Sequence, residues 1–213
     1  MKVGYQFNLS KIKPIKSYSF VFVCQKGELE IESLLLAASL KRFVKTDYEL
    51  IAAIPGPEDF FGKPSDLTLD LLKEIGVKFF HFQNEFVKKG KTELHYLIAN
   101  KIHALKAPIN SEKLIFLDSD NLCCENFYGD PCFLIPVNIS LAGHFSSKFS
   151  ESFLKKSFEV CLLDIPNIRF RIEGSEDLYL PPYFSSGFVA VDSKFVNTFS
   201  DIWIEAFKKI DKN

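Results

Sequence analysis

The residues best suited to chemistry are Asp118 and Asp120, separated by Ser119 and placed directly after the apolar run Leu114-Ile115-Phe116-Leu117. An all-apolar run of this length reads as a central strand, so the two acids emerge at its carboxyl end. If the backbone stays extended there, residues two apart project to the same side. Carboxylates held close repel, and the repulsion is relieved by a raised pKa on one of them or by a bound cation. Oxygen-only ligands favour Mg²⁺ or Mn²⁺; Mg²⁺ takes one or two protein carboxylates and completes its shell with water and substrate phosphates. An isolated Asp-x-Asp would more simply cap a loop. Its place after a buried strand favours the metal and, with it, a diphosphate ligand.

Lys101 is the second candidate. Thr92 suits the N-cap of a helix reaching about Lys106, in which Leu94, Leu97, Ile98, Ile102 and Leu105 form a core-facing stripe. At about 100° per residue, Lys101 falls roughly 20° from Leu94 and 40° from Leu105, inside the stripe, while His103 falls on the opposite, solvent side. A lysine buried without a partner costs several kcal/mol. Its ammonium must therefore snorkel past the helix end or meet an anion, either a ligand phosphate or a metal-site carboxylate.

Positioning these groups requires an alternating framework. Ser19–Cys24 reads as a strand, Gln25-Lys26-Gly27 as a turn, and Glu28–Lys45 as a helix. A second strand, Tyr48–Ile54, is stopped by Pro55-Gly56-Pro57, and Asp66–Ile75 is a helix closed by Gly76. Val77–Phe82 is the third strand; Pro108 ends the helix that carries Lys101, ahead of the fourth strand, Lys113–Leu117. Such alternation predicts an α/β fold, a mostly parallel central sheet flanked by helices, with ligands bound beyond the carboxyl ends of the strands. Further on, Cys132–Leu141 could hold one or two strands, and Ser147–Gly174 is a mixed polar and aromatic segment without assignment. Tyr183–Val191 reads as a strand entered through Pro181-Pro182, and about Lys194–Ile210 as a final helix. No repeat or linker divides the chain, so residues 1–213 are expected to form one domain.

Composition excludes several classes. With 213 residues, 47% hydrophobic and 25% charged, the chain is that of an ordinary globular protein, although 23 Phe is heavy use of one side chain. Twenty-six basic against 27 acidic residues give a net charge of -1 and no field for wrapping nucleic acid, so phosphate recognition must be local. The apolar runs are too short for a transmembrane segment and Met1–Lys16 lacks the pattern of a secretory signal, so a cytoplasmic location is expected. Cys24, Cys123, Cys124, Cys132 and Cys161 are an odd set without a C-x-x-C pair, and reduced thiols are expected. The Asn-x-Ser triplets at Asn8 and Asn138 then read as chance.

Three motifs together resemble the GT-A nucleotide-sugar glycosyltransferases, in particular the glycogenin-like and bacterial galactosyltransferase-like group. They are the helix Leu94-His95-Tyr96-Leu97-Ile98-Ala99-Asn100-Lys101, the strand running into Asp118-Ser119-Asp120-Asn121, and Phe184-Ser185-Ser186-Gly187, similar to the family's F-N-S-G strand. The resemblance runs from about Ser19 to Ile210. It implies a metal-dependent transferase that moves a sugar from a nucleotide-diphosphate donor, uridine-based, to a sugar, lipid-linked or protein acceptor, with retention. By the same resemblance Asp118 and Asp120 would bind Mn²⁺ or Mg²⁺ and, with Ser119, the diphosphate. Lys101 would contact the donor, Ser185, Ser186 and Gly187 would line the sugar pocket, and Val23, Cys24 and Gln25 would lie against the base. The sequence departs from the pattern in carrying Ser185 for the asparagine. It also lacks the family's later Asp-Gln element and metal-ligating histidine, so the usual C-terminal portion is expected to be missing. His144 could substitute as a ligand or simply be solvated, and Asp164, Glu173, Glu176 and Asp177 read as surface acids. The rival readings are a noncatalytic nucleotide-sugar-binding domain and, more remotely, a haloacid-dehalogenase-type phosphatase, whose motif sits on a first strand rather than a fourth.

Overall fold

A computed structural model describes residues 17–87, 94–126, 151–165, 167, 170–171, 179–180 and 186–211. Continuous apolar runs become strands because both of their faces are covered. Strand β1 (Ser17–Val23) is buried at every position after the first, and β4 (Lys113–Leu117) at all positions. With β2 (Asp47–Gly56) and β3 (Val77–Gln83) they form parallel pairs, and among the described residues the sheet, completed by β7 (Phe188–Asp192), has the order β3-β2-β1-β4-β7. A two-stranded ribbon, β5 (Phe170–Arg171) with β6 (Tyr179–Leu180), stands apart from it. The last strand of the main sheet, β7 (Phe188–Asp192), runs antiparallel to β4, Leu117 opposite Phe188. The expected α/β class with a mostly parallel sheet flanked by helices is therefore the class observed.

Alternation along β1 divides the core. Tyr18, Phe20, Phe22 and Cys24 face helices α1 (Glu28–Phe43) and α3 (Asp66–Ile75), packing on Leu36, Ala37, Leu40 and Leu72. Val21 and Val23 face the other way, toward Ala104 and Leu105 at the end of α4 (Leu94–Ala104) and Val196 at the start of the last helix, α6 (Val196–Asp211). Each fully buried side chain such as Phe20 or Leu36 contributes about 1.5–3 kcal/mol. Helix α3 is stopped as expected: Gly76 takes φ 98°, a left-handed conformation that L side chains rarely adopt.

Local boundaries differ from the sequence expectation where backbone pairing continues past a supposed breaker. Strand β2 runs through Pro55 and Gly56, opposite Phe82 and Gln83, instead of ending at Ile54, because Pro55 stands at a position where β2 can still be paired to β3. The following loop contains a single helical turn, α2 (Glu58–Phe61). Helix α5 (Glu151–Val160) lies within Ser147–Gly174, for which the sequence pattern suggests no element. Ser186 and Gly187, expected inside a strand, form a turn ahead of β7. Thr92, Cys132–Leu141 and Ser185 lie outside the described residues, as do His144, Glu173, Glu176 and Asp177. Asp164 is exposed. Among the described residues no helix is long and apolar enough to cross a membrane.

Candidate functional site

The backbone of β4 keeps pairing for one residue beyond the strand, the Asp118 N–H donating to Gly187 O at 2.8 Å. It then turns: Ser119 and Asp120 form a turn, and the Asn121 N–H returns to Asp118 O at 3.1 Å. The triplet therefore does not stay extended but turns, because ladder pairing ends at Gly187 and the Asp118 carbonyl is claimed by Asn121. Its Nδ2 donates to Asp118 O at 2.9 Å and to Gly187 O at 3.0 Å, joining the triplet to the Ser186-Gly187 turn. The two acids remain near enough to feel each other. Burial raises the Asp118 carboxyl above its ordinary value, Lys101 pulls it back, and the Asp120 charge adds a further push upward. Ser119 is buried and its Oγ donates to Val23 O, so this hydroxyl ties the end of β4 to the end of β1.

Lys101 meets an anion. Its Nζ lies 3.0 Å from Asp118 Oδ1 and 3.1 Å from Oδ2, and donates to Ser186 Oγ at 3.1 Å; the lysine side chain is 14% exposed and that of Asp118 35%. Three elements distant in sequence thus converge: α4, the end of β4 and the turn before β7. His103 departs from expectation. It is buried rather than on a solvent side, with Phe82 and Phe86 at ring-centroid distances of 5.6 and 5.3 Å. The cause is tertiary: the residues after β3 and helix α6 cover the outer face of α4. Burial holds the His103 imidazole below its ordinary pKa, and its Nε2 has no hydrogen-bond partner among the described residues.

The end of β1 supplies one wall. Val23 and Gln25 line the cleft, whereas the Cys24 side chain turns into the core beside Phe20 and Phe22, where burial pushes its thiol up to about 11. Strand alternation makes this unavoidable, and it leaves Cys24 only its backbone at the sheet edge. The cleft measures about 510 Å³ and is also lined by Lys26, Glu28, Leu29, Glu32, Lys101, Phe116, Ser119 and the two aspartates. Glu28 and Glu32 are wall residues that the sequence reasoning misses. Their signal is present all the same: acids one turn apart at the start of the helix after the first strand, which must begin at the ligand-binding edge. Burial raises the Glu32 carboxyl, with smaller contributions from Asp120 and Glu28. Two buried amides are missed as well, Asn84 after β3 and Asn100 beside Lys101, which connect to Gln25 by hydrogen bonds.

The donor set suits a hard cation. Asp118 and Asp120 could hold Mg²⁺ or Mn²⁺, since such ions take one or two protein carboxylates and fill their other positions with water and phosphate. Charge argues the same way. The cleft lining sets four acids, Glu28, Glu32, Asp118 and Asp120, against only two lysines, Lys26 and Lys101, and a divalent ion would cancel the excess of two negative charges.

The family model described as the Rhodobacterales glycosyltransferase domain matches residues 20–213. No curated protein matches the chain in sequence. Among solved structures the chain is similar to an active-site mutant of LgtC, with a TM-score of 0.54 and 11% identity over 92% of this chain and 64% of that one. It is also similar to the galactosyltransferase LgtC in complex with donor and acceptor sugar analogues, with a TM-score of 0.51 and 10% identity over the same shares of the two chains. Mouse xyloside xylosyltransferase 1, apo form, aligns at a TM-score of 0.42 with 12% identity over 91% of this chain and 81% of that one, too distant to bear on the fold. The chain spans 64% of the length of the LgtC chains, and the likeness to them is one of fold.

Proposed function

The chain belongs to the Rhodobacterales glycosyltransferase domain family, and from that premise we propose that it transfers a sugar from a nucleoside-diphosphate donor, uridine-based, at the cleft between β1, α1 and β4. The observation that carries this reading is the Lys101 ammonium held between Asp118 and Ser186 on the cleft wall.

Sugar transfer breaks the bond between the anomeric carbon and the diphosphate, so the largest demand is stabilising negative charge on the leaving group. Lys101 is positioned to meet that demand, since two contacts fix its ammonium in advance and its slight exposure keeps water from screening it. Asp118 and Asp120 would hold a divalent ion, which when bound supplies Lewis acidity and countercharge to the diphosphate. Asn121 keeps the triplet and the Ser186-Gly187 turn in register, so the donor's diphosphate and sugar would meet groups already in position. Ser185, Ser186 and Gly187 would line the sugar end. The acceptor is a sugar, lipid-linked or protein hydroxyl, and retention at the anomeric carbon is the outcome the resemblance implies.

A thermal-shift panel of nucleoside diphosphates and nucleotide sugars, with and without Mn²⁺, tests the site. At one hundred times its dissociation constant a ligand adds about 2.7 kcal/mol. For a protein of this size that is about 5–10 °C. UDP should stabilise the protein only with metal, and Asp120→Ala should abolish the shift; equal stabilisation of the variant would remove the metal assignment. Release of sugar from the stabilising nucleotide sugar, followed by ¹H NMR of the anomeric proton, reads turnover and stereochemistry.

A further inference from the structure

Helices α1 and α3 lie side by side on one face of the sheet. Their inner sides bury Leu36, Ala37, Leu40 and Leu72, yet their outer sides are apolar as well. Ile31 and Leu35 on α1 are 66% and 54% exposed, and Leu67 and Leu71 on α3 are 70% and 38% exposed. Each pair is spaced i, i+4, so its two side chains stand one above the other on the helix. Between the helices runs an open groove of about 490 Å³ whose lining includes Leu34, Ala38, Leu71 and Ile75. Single exposed leucines are ordinary, whereas a contiguous apolar face marks a surface that is covered in use.

The charges around this face are ordered. Both helices run from the carboxyl edge of the sheet to its amino edge, since α1 follows β1 and α3 precedes β3 in a set of parallel strands. Acids gather toward their shared start, Glu28 and Asp66 followed by Asp70, with Lys63 paired to Asp66 at 2.9 Å. Bases gather at their shared end, Lys41, Arg42 and Lys73, with Glu74 beside them. The macrodipole favours this order within each helix. Parallel neighbours add the two together, so the face is acidic at one end, apolar in the middle and basic at the other. Such a face is its own complement: turned by a half-rotation about an axis through the apolar stripe, a second copy lays its basic end over the acidic end of the first. An anionic lipid surface would instead meet the acids at one end.

We propose that the α1–α3 face is the interface of a twofold homodimer, with Ile31, Leu35, Leu67 and Leu71 of each copy packed against those of the other. The acids and bases at its ends then pair across the rim and set the antiparallel orientation. Size fixes the strength. The 16 residues of α1 and 10 of α3 span about 24 and 15 Å, and two helices side by side are about 20 Å wide. That outline, about 300–500 Å² per copy, falls below the ~800 Å² per partner of a standard interface. The dimer is therefore weak and reversible. It stands independently of the sugar-transfer reading, since the four apolar side chains lie outside the lining of the cleft.

Sedimentation velocity of the full chain between about 5 and 500 µM tests the proposal. The wild type should pass from monomer toward dimer over that range. Leu35→Glu should stay monomeric at the highest concentration, and Leu71→Gln supplies the same readout without adding a charge; circular dichroism checks that both exposed positions leave the fold intact. Two charge sets then test the twofold order. Arg42→Glu with Lys73→Glu makes both ends acidic, and Asp66→Lys with Asp70→Lys makes both basic. Each set alone should associate at least about tenfold more weakly than the wild type, and an equimolar mixture of the two should recover the loss. A wild type that stays monomeric throughout, or a dimer unmoved by Leu35→Glu and Leu71→Gln, overturns the proposal. So does a mixture that associates no better than its parts, because the face then lacks the twofold order. Flotation with phosphatidylcholine–phosphatidylserine vesicles runs in parallel, and capture of the wild type that Leu35→Glu abolishes would assign the face to lipid and overturn the dimer.

Discussion

Replacing Lys101 by Met keeps most of the side-chain stem and removes the charge, which isolates the ammonium's contribution. At 3.0 Å and an effective dielectric of about 20, its gross attraction to Asp118 is roughly 5 kcal/mol. Desolvation of both groups offsets most of that. A fully buried pair broken on one side costs about 3–5 kcal/mol. An exposed pair contributes about 0–1 kcal/mol. With the lysine 14% and the aspartate 35% exposed, the loss should fall between, at about 2 kcal/mol or 4–8 °C in Tm at pH 7. The pH dependence provides a sharper check. Asp118 already lies above its ordinary pKa through burial, and without Lys101 it rises further. A carboxyl raised on folding penalises the native state at pH values above its folded pKa, and the penalty vanishes as pH falls below its unfolded value. The deficit of Lys101→Met should therefore shrink between pH 7 and pH 4, and adding Asp118→Asn should recover much of it at pH 7. Urea unfolding followed by tryptophan fluorescence, at both pH values and for Lys101→Met, Asp118→Asn and the double variant, measures this. A deficit independent of pH, or strict additivity of the two substitutions, would refute the coupling. UDP affinity measured on the same variants should drop about tenfold for Lys101→Met.

Two further perturbations probe the frame around the site. Burial acts to raise the Glu30 carboxyl, but donors from Ser65 Oγ and N–H, Thr68 Oγ1 and Gly27 N–H outweigh it and hold the group at about 2. The stabilisation is present above about pH 4.5 and lost as pH falls toward 2, so Glu30→Gln, costing about 1–2 kcal/mol at pH 7 after solvent screening, should converge on the wild type in acid; a gap constant with pH would exclude this. His103, held below its ordinary pKa by burial, destabilises the fold as pH drops through the imidazole range, because the unfolded chain takes up the proton more readily. His103→Phe should abolish that slope and gain about 1 kcal/mol relative to the wild type between pH 7 and pH 5 in urea titrations, and an unchanged slope would show that His103 is not its source.

Much of the framework was legible because burial on both sides of a parallel sheet leaves a local signature. The runs at β1 and β4, the helix stop at Gly76 and the placement of Asp118 and Asp120 at a strand's carboxyl end all follow from spacing and residue type. Lys101 betrayed itself as a charge inside an apolar stripe, and it does meet a carboxylate. Tertiary structure alone decided the rest. That β7 lies antiparallel beside β4, bringing Ser186 to Lys101 and Gly187 to Asp118, is a choice of partner between segments some 70 residues apart. His103 looked solvent-facing because periodicity reports only a helix's most apolar side and cannot foresee that Phe86 and α6 will cover the other. The same limit hid the amide chain from Asn84 to Gln25, since hydrogen-bond partners across 75 residues are set by packing. Local pattern records what each segment must bury; which segments bury it together depends on the free energy of the whole fold.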